Sequence, residues 1–425
     1  MEDIRAFPSD VTLLLCLLAT MVGLNVAALV EWWANDSLLD LVFDVAGKAM
    51  VVYAAAFAYW GFRLMWRLRG SVPLEETSFT EAAAVVDGLA DRTDVGVRLG
   101  PRLGRRAFVA GGHGVVLLVM GPELLGLCTA SPEGRAVFEA VVRHELAHVR
   151  AGDLDWYRLG SLLRVSVVPT ALVLVFLLWQ GWLALPVRIE VLATGFLAQT
   201  VITELVARAF LRAREHQADL VAARDGTEGL LAAVGTAPVV RQWLRGHPGG
   251  DNRTAVVTDP GRLLVTAPGV LLLGATTAGV ALGPVLLLAS FAGAAVDAPP
   301  GLVPAVVTGV VIGAPLSLFA AFGIWRSTWR TGPRPLRSAA VLVAGLVLGS
   351  HVAPIPAGIP LTPPVLAGLA LGSVALCLGV AGTGRARHHV DPAARRMREF
   401  LRAAVPVTCV VGGGVFAALW GFVVL

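Results

Sequence analysis

Stretches of roughly 20 apolar residues recur along the chain, near residues 11–32, 45–66, 163–184, 187–210, 266–293, 302–325, 337–353, 364–383 and 403–425. A helix needs about that length to cross a hydrocarbon core about 30 Å thick, so the pattern predicts a polytopic membrane protein of about nine spans. The run "PGVLLLGATTAGVALGPVLLLASFAGAAV" carries glycines and an internal proline, and reads either as one long span or as a broken pair. Two longer polar stretches separate the runs. The expected organisation is therefore two spans in 1–66, a polar segment 67–162, a membrane hairpin 163–210, a second polar segment 211–263 and a membrane region of about five helices in 264–425. Within the first polar segment, "FTEAAAVVDGLADRTDV" has helical spacing and "AFVAGGHGVVLLVMG" reads as strand, glycine turn, strand. The run "EGRAVFEAVVRHELAHVRAG" is again helical and is expected to stop at Gly152.

Composition agrees with the pattern. Of the 425 residues 56% are hydrophobic and 15% charged, with a mean hydropathy of +0.73, which excludes an ordinary soluble protein. The formal net charge of +4 is small, and the arginines cluster beside apolar runs, so lipid headgroups account for them better than nucleic acid does. Lys48 is the only lysine, a bias of composition that carries no mechanism. Cys16, Cys128, Cys377 and Cys409 lie far apart without a CxxC spacing, and are expected as core residues rather than a disulfide frame. The first apolar run has no A-x-A-like cleavage site and is expected to be a retained anchor.

Arginine placement orients the chain. "RLMWRLRG", "WRSTWRTGPRPLRS" and "GRARHHVDPAARRMREFLR" alternate with uncharged or acidic loops, and all three fall on one side if the N-terminus is inside. Both polar segments are then cytoplasmic, and the C-terminus is outside.

The chemistry lies in "HELAH". On a helix, His144 and His148 are four residues apart and present both imidazoles to one side, where they can share a Zn²⁺ ion. Glu145 sits beside them, placed to take a proton from the attacking water. A hydrolytic zinc site usually has a third protein ligand. The metzincin continuation is excluded, since it needs glycine at 151 and histidine at 154 where the chain has Ala151 and Leu154. Among the next glutamates, Glu190 opens the fourth span on the outer side, and Glu204 lies about 16 Å deeper in the membrane than Glu215. Glu215 emerges at the cytoplasmic end, followed one turn later by Asp219, which can orient a histidine ligand by accepting its other N–H. The 66 residues between His148 and Glu215 are largely two spans, and an antiparallel hairpin leaves the bilayer on the side it entered.

"HELAHVRAGD", two spans, then "RAREHQAD" resembles the membrane zinc peptidases typified by HtpX and the CAAX prenyl endoproteases, over roughly residues 10–230. The resemblance implies a gluzincin: one Zn²⁺ held by His144, His148 and Glu215, Glu145 as general base and Asp219 in support. The implied fold is a mainly α, polytopic membrane protein carrying a zincin-like α+β metallopeptidase domain built from two interleaved segments. The expected partners are a protein or peptide substrate and the lipid bilayer, without nucleic acid. Where that family commonly has asparagine before its edge strand, this chain has Arg106. Val115–Met120 is expected either as that edge, pairing with an extended substrate, or as a core strand. Tyr157, Arg212, Arg214 and His216 remain open as oxyanion partners. His113 reads as a turn residue, His388 and His389 as solvated, and His247 and His351 carry no ligand pattern. The small-residue spacings "AGLVLG" and "AGLALG" allow close helix approach.

The expected function is a zinc endopeptidase at the cytoplasmic membrane face, in membrane-protein quality control or processing. A BlaR/MecR-type signal-transducing peptidase is a second reading, weakened by the lack of a sizeable extracellular segment. A scaffold with a structural zinc is a third, weakened by Glu145, since a structural site needs no base.

Overall fold

A computed structural model describes residues 68–90, 95–112, 115–158, 189–234, 248–295, 302–331 and 334–353, with scattered positions in 58–66 and 160–164. The expected spans at 11–32, 364–383 and 403–425, most of those at 45–66 and 163–184, and His113, His247, His388, His389, Cys16, Cys377 and Cys409 lie outside the described residues. The chain divides into two compact units, one of residues 55–162 with 208–262, the other of 1–54, 163–207 and 263–425.

The first unit is built on a four-stranded sheet: β1 (Val72–Pro73), β2 (Val95–Leu99), β3 (Ala107–Gly112) and β4 (Val115–Met120), in the order β1-β2-β4-β3. β3 and β4 form the expected hairpin, antiparallel from Ala107 opposite Met120 to Gly112 opposite Val115. Gly111 has φ +139°, and a Cβ there would lie 2.1 Å from the Val115 carbonyl oxygen, so the turn requires glycine. Of the two readings of Val115–Met120, edge or core strand, the structure has the core strand: β2 pairs with it in parallel on one side and β3 on the other. The sheet's two edges are the two-residue β1 and, beside β4, β3. The internal place of β4 follows from β2, whose short apolar alternation "VGVRL" adds a parallel partner to it.

Three helices follow the strands' logic: α1 (Thr80–Ala90), α2 (Pro122–Ala130) and α3 (Pro132–Arg150). Ser131 separates α2 from α3 and caps the latter, its side chain accepting a hydrogen bond from the Gly134 amide at 3.0 Å, with Pro132 at the first helical position. Gly152, at φ +66°, ends α3 where expected, its amide bonding to the Val149 carbonyl at 3.0 Å. Phe138, Val142 and Leu146, four residues apart, are fully buried in one core with Val86, Leu118, Met120, Leu125 and Cys128. On another face of α3, Ala140 packs with Ala222, Leu230 and Val234. Those partners come from α4 (Ile189–Ala222) and α5 (Thr227–Ala233); α6 (Gly250–Thr258) completes the unit. α3 is therefore clamped on two sides. Cys128 is the buried core thiol expected of it, and burial raises its pKa.

Among the described residues, three helical stretches are long and apolar enough to cross a membrane: Pro260–Gly283, Val306–Ile324 and Pro335–Val352. The expected span at 187–210 is helical from Ile189 onward, as the first part of α4. In the second unit, α7 (Pro268–Ala295) runs as one unbroken helix of 28 residues through Pro284, which settles the choice between a long span and a broken pair. Its Thr276 and Thr277 hydroxyls donate to the Leu272 and Leu273 carbonyls, at 2.8 and 2.7 Å, so neither faces the apolar surroundings unbonded. α8 (Leu302–Thr308) passes through a π-helical turn at Gly309–Gly313 into α9 (Ala314–Thr331), and α10 (Pro335–Val352) follows.

The "AGLVLG" spacing does what its small residues permit. A Cβ at Gly345 would meet Ala275 Cβ at 2.6 Å, and one at Gly349 would lie 2.2 Å from the Thr276 carbonyl oxygen. The α7 and α10 backbones touch there, in a unit where apolar surroundings remove most of the hydrophobic drive and close packing must hold helices together. Gly349→Ala is expected to lower stability by about 1–3 kcal/mol through overpacking. Gly269→Ala, at a helical position with nothing within 4 Å, is expected to be neutral or slightly stabilising. Thermal unfolding of the detergent-solubilised variants compares the two.

Candidate metal centre

α3 presents His144 and His148 on adjacent turns, and α4 presents Glu215 and Asp219 in the same way. Three of these side chains converge. The Nε2 atoms of His144 and His148 are 3.2 Å apart, and Glu215 brings Oε2 to 3.5 Å from the first and Oε1 to 3.6 Å from the second. The imidazoles meet edge to face at 87°. His144, His148 and Glu215 are 7%, 4% and 5% exposed.

These separations test whether a metal ion suits the site. Two nitrogens each about 2.0–2.1 Å from a tetrahedral ion are separated by roughly 3.3 Å, and a carboxylate oxygen falls at a similar edge. All three observed edges lie near that value. His144, His148 and Glu215 form a buried group that could hold a metal ion. Glu145, half-buried, is close enough for its charge to bear on His144, Tyr157 and Arg253. Glu204, the alternative third ligand, is engaged in the other unit, its two oxygens each 2.7 Å from the Arg164 guanidinium.

Behind each histidine stands a carboxylate, and behind each carboxylate an arginine. His148 Nδ1 lies 2.7 Å from Asp153 Oδ2, and Asp153 is held by Arg214. His144 Nδ1 lies 3.0 Å from Asp219 Oδ1, off the line of an ideal hydrogen bond, and Asp219 is gripped by the Arg253 guanidinium, one contact being 2.8 Å. A carboxylate at Nδ1 keeps the proton there and leaves the Nε2 lone pair for a cation. Asp219 thus stands beside His144 Nδ1. Asp153 and Arg253 do not appear among the sequence candidates. The signal for Asp153 was its place immediately after Gly152, whose left-handed turn folds the chain back onto His148; nothing in the sequence of α6 singles out Arg253.

Burial opposes charge on His144, but Asp219 and Glu215 outweigh it and its pKa is pushed up to about 10. Burial likewise opposes charge on Asp219, yet Arg253 and His144 hold its carboxyl below the usual range. Burial also lowers the His216 pKa and, with Glu215 and Asp153, raises that of Tyr157. Of the open oxyanion candidates, Tyr157 places its hydroxyl 3.3 Å from His148 Nδ1, and Arg214 also bonds to the Ala151 carbonyl at 3.1 Å. Both are engaged on the Nδ1 side of His148, away from the Nε2 atoms. His351 is exposed and bonds the Val347 carbonyl, far from any ligand pattern.

Residues 106–260 match the family model of Peptidase family M48. The match takes in the three clustered side chains together with Glu145, Asp153, Asp219 and Arg253, and it supports an M48 metallopeptidase. No curated protein and no solved structure matches the chain.

Three outcomes are expected. Asp153→Asn lowers metal affinity about 10- to 100-fold, read by competition with a chromophoric chelator, because the His148 tautomer is no longer fixed. In wild type, metal affinity rises with pH from 6.5 to about 8.5, by up to ~10-fold per unit, because a cation must displace the proton that His144 holds up to about pH 10. The same raised pKa gives the metal-free protein a stability contribution fully present below pH 6.5 and lost as the pH passes about 10.

Proposed function

We propose that the chain is an integral-membrane zinc endopeptidase acting at the cytoplasmic face, with residues 67–162 and 211–263 as its interleaved catalytic segments. The observation that carries this reading is the convergence of His144 Nε2, His148 Nε2 and a Glu215 oxygen at near-tetrahedral edges beside Glu145. Two imidazoles and one carboxylate make an N₂O donor set typical of catalytic zinc, leaving a position for the reactants. His144, His148 and Glu215 would hold the ion, which when bound supplies Lewis-acid polarisation of water and of the scissile carbonyl.

The protein's own groups do the rest. Glu145 takes the proton of the attacking water and returns it to the leaving amine, the same carboxylate serving first as base and then as acid. Asp153 and Asp219 hold the two imidazoles against rotation. The β3 edge accepts an extended peptide by backbone pairing, since no strand covers its outer side among the described residues and the Arg158 guanidinium reaches only its far end, at the Gly111 carbonyl. Membrane-protein quality control or processing fits a site carried by a chain of this hydropathy.

Glu145→Gln is expected to keep its full metal content while casein cleavage falls about 10²- to 10⁴-fold, the range for losing a general base. Wild-type rates in that variant would overturn the assignment. Glu215→Ala is expected to lose the metal and Glu204→Ala to retain it, as measured by elemental analysis of the purified proteins.

A further inference from the structure

A second polar site lies in the membrane unit, where three helices end together. The first turn of α7, the last turns of α9 and the first two turns of α10 enclose a cavity of about 100 Å³. Arg334, Arg337, Ser327, Ser338 and Thr266 supply one part of its lining, and Leu271, Ile324 and Val341 another. A drug-sized ligand needs roughly 300–1,000 Å³, so this space suits a small polar group rather than a whole organic ligand or a peptide.

Its electrostatics specify the sign of that group. Residues 263–353 contain four arginines and one acid, Asp297. Asp297 comes after the last residue of α7, at the end of that helix opposite the cavity in sequence, and lies outside the described residues. Arg326 is already committed to the Leu263 carbonyl and the Phe322 ring. Arg334 and Arg337 face no carboxylate among the described residues. α10 adds to them: Pro335 occupies its first position, no side chain caps it and no acid lies in its first turn, so its early amides and dipole stay positive. Ser327 already donates its hydroxyl to the Gly323 carbonyl at 2.8 Å; the two guanidiniums, the Ser338 hydroxyl and the bare helix start are donors that match a phosphate.

The apolar part of the lining decides the source. Leu271, Ile324 and Val341 belong to the three stretches long and apolar enough to cross a membrane. A phosphate seated on the arginines therefore lies against hydrocarbon-compatible surface. We propose that this cavity binds the phosphodiester headgroup of an anionic glycerophospholipid, with Arg334 and Arg337 as its charge clamp and its acyl chains lying along the α7, α9 and α10 ends. The site is independent of the peptidase centre.

Native mass spectrometry of the full-length protein in detergent tests this with phosphatidylglycerol, phosphatidylcholine and inorganic phosphate. The expected result is retention of phosphatidylglycerol over phosphatidylcholine, reduced about tenfold or more in Arg334→Gln/Arg337→Gln and kept in Arg334→Lys/Arg337→Lys. Ser338→Leu, which fills the cavity and leaves both charges, is expected to lose the lipid as well. Undiminished phosphatidylglycerol in the glutamine double variant overturns the clamp. Full binding in Ser338→Leu overturns the cavity in favour of diffuse surface attraction, and displacement of the lipid by millimolar inorganic phosphate overturns the lipid as its source. An unchanged thermal unfolding midpoint of each detergent-solubilised variant verifies that the chain has folded.

Discussion

Two imidazole nitrogens 3.2 Å apart and a carboxylate within 3.6 Å of both, all nearly out of reach of water, form an arrangement that needs positive charge at its centre. Water cannot screen Glu215 at 5% exposure, and a buried carboxylate is costly unless positive charge or hydrogen bonds compensate it. Without an ion, His144 answers by holding a proton to about pH 10. With one, both Nε2 lone pairs and the carboxylate turn to the same cation. The remaining features of the catalytic unit serve to keep those three groups where a single ion can satisfy them.

Placement depends on rigid helices. α3 is fixed at its start by Ser131 and Pro132, at its end by Gly152, and between them by Phe138, Val142 and Leu146 in the core. Its other face meets Ala222 and Leu230, and Gly229 comes so near the Ala136 carbonyl that a Cβ would lie 2.4 Å from it. A bulkier residue there would push α5 from α3, and α5 follows directly on the helix that carries Glu215. Helix spacing at this contact thus bears on ligand spacing, and a shift of half an ångström is already too much for a metal site.

Much of this was legible beforehand because it is periodic or local. The stop of α3, the β3–β4 hairpin and the i, i+4 pairs His144/His148 and Glu215/Asp219 rest on spacings of two to four residues or on a glycine at a turn, whereas Glu215 was reached across 66 residues through the expected membrane hairpin. Long-range pairing was less legible. Nothing in "VGVRL" announces that it lies parallel to Val115–Met120, and that one pairing decides between the edge and core readings of β4 in favour of the core strand. Arg253 reaches Asp219 from a helix 34 residues downstream, and only the fold shows which of many arginines does so. Asp153 is intermediate, since its proximity to His148 depends on a left-handed Gly152 that sequence can suggest but not aim.

The arginines explain why so many acids can share this site. Asp153 and Asp219 are 1% and 0% exposed, and two bare carboxylates beside a third would repel it and draw protons from the histidines. Arg214 and Arg253 neutralise them one for one, so each aspartate can orient its imidazole without adding net charge. What remains is Glu215 and Glu145, two negative charges next to two neutral imidazoles. A divalent cation balances that pair, whereas a monovalent one leaves the pocket negative and a bound proton on His144 balances only half of it. The charge left over after the aspartate–arginine pairs cancel therefore suits a metal cation, as the 3.2–3.6 Å edges do.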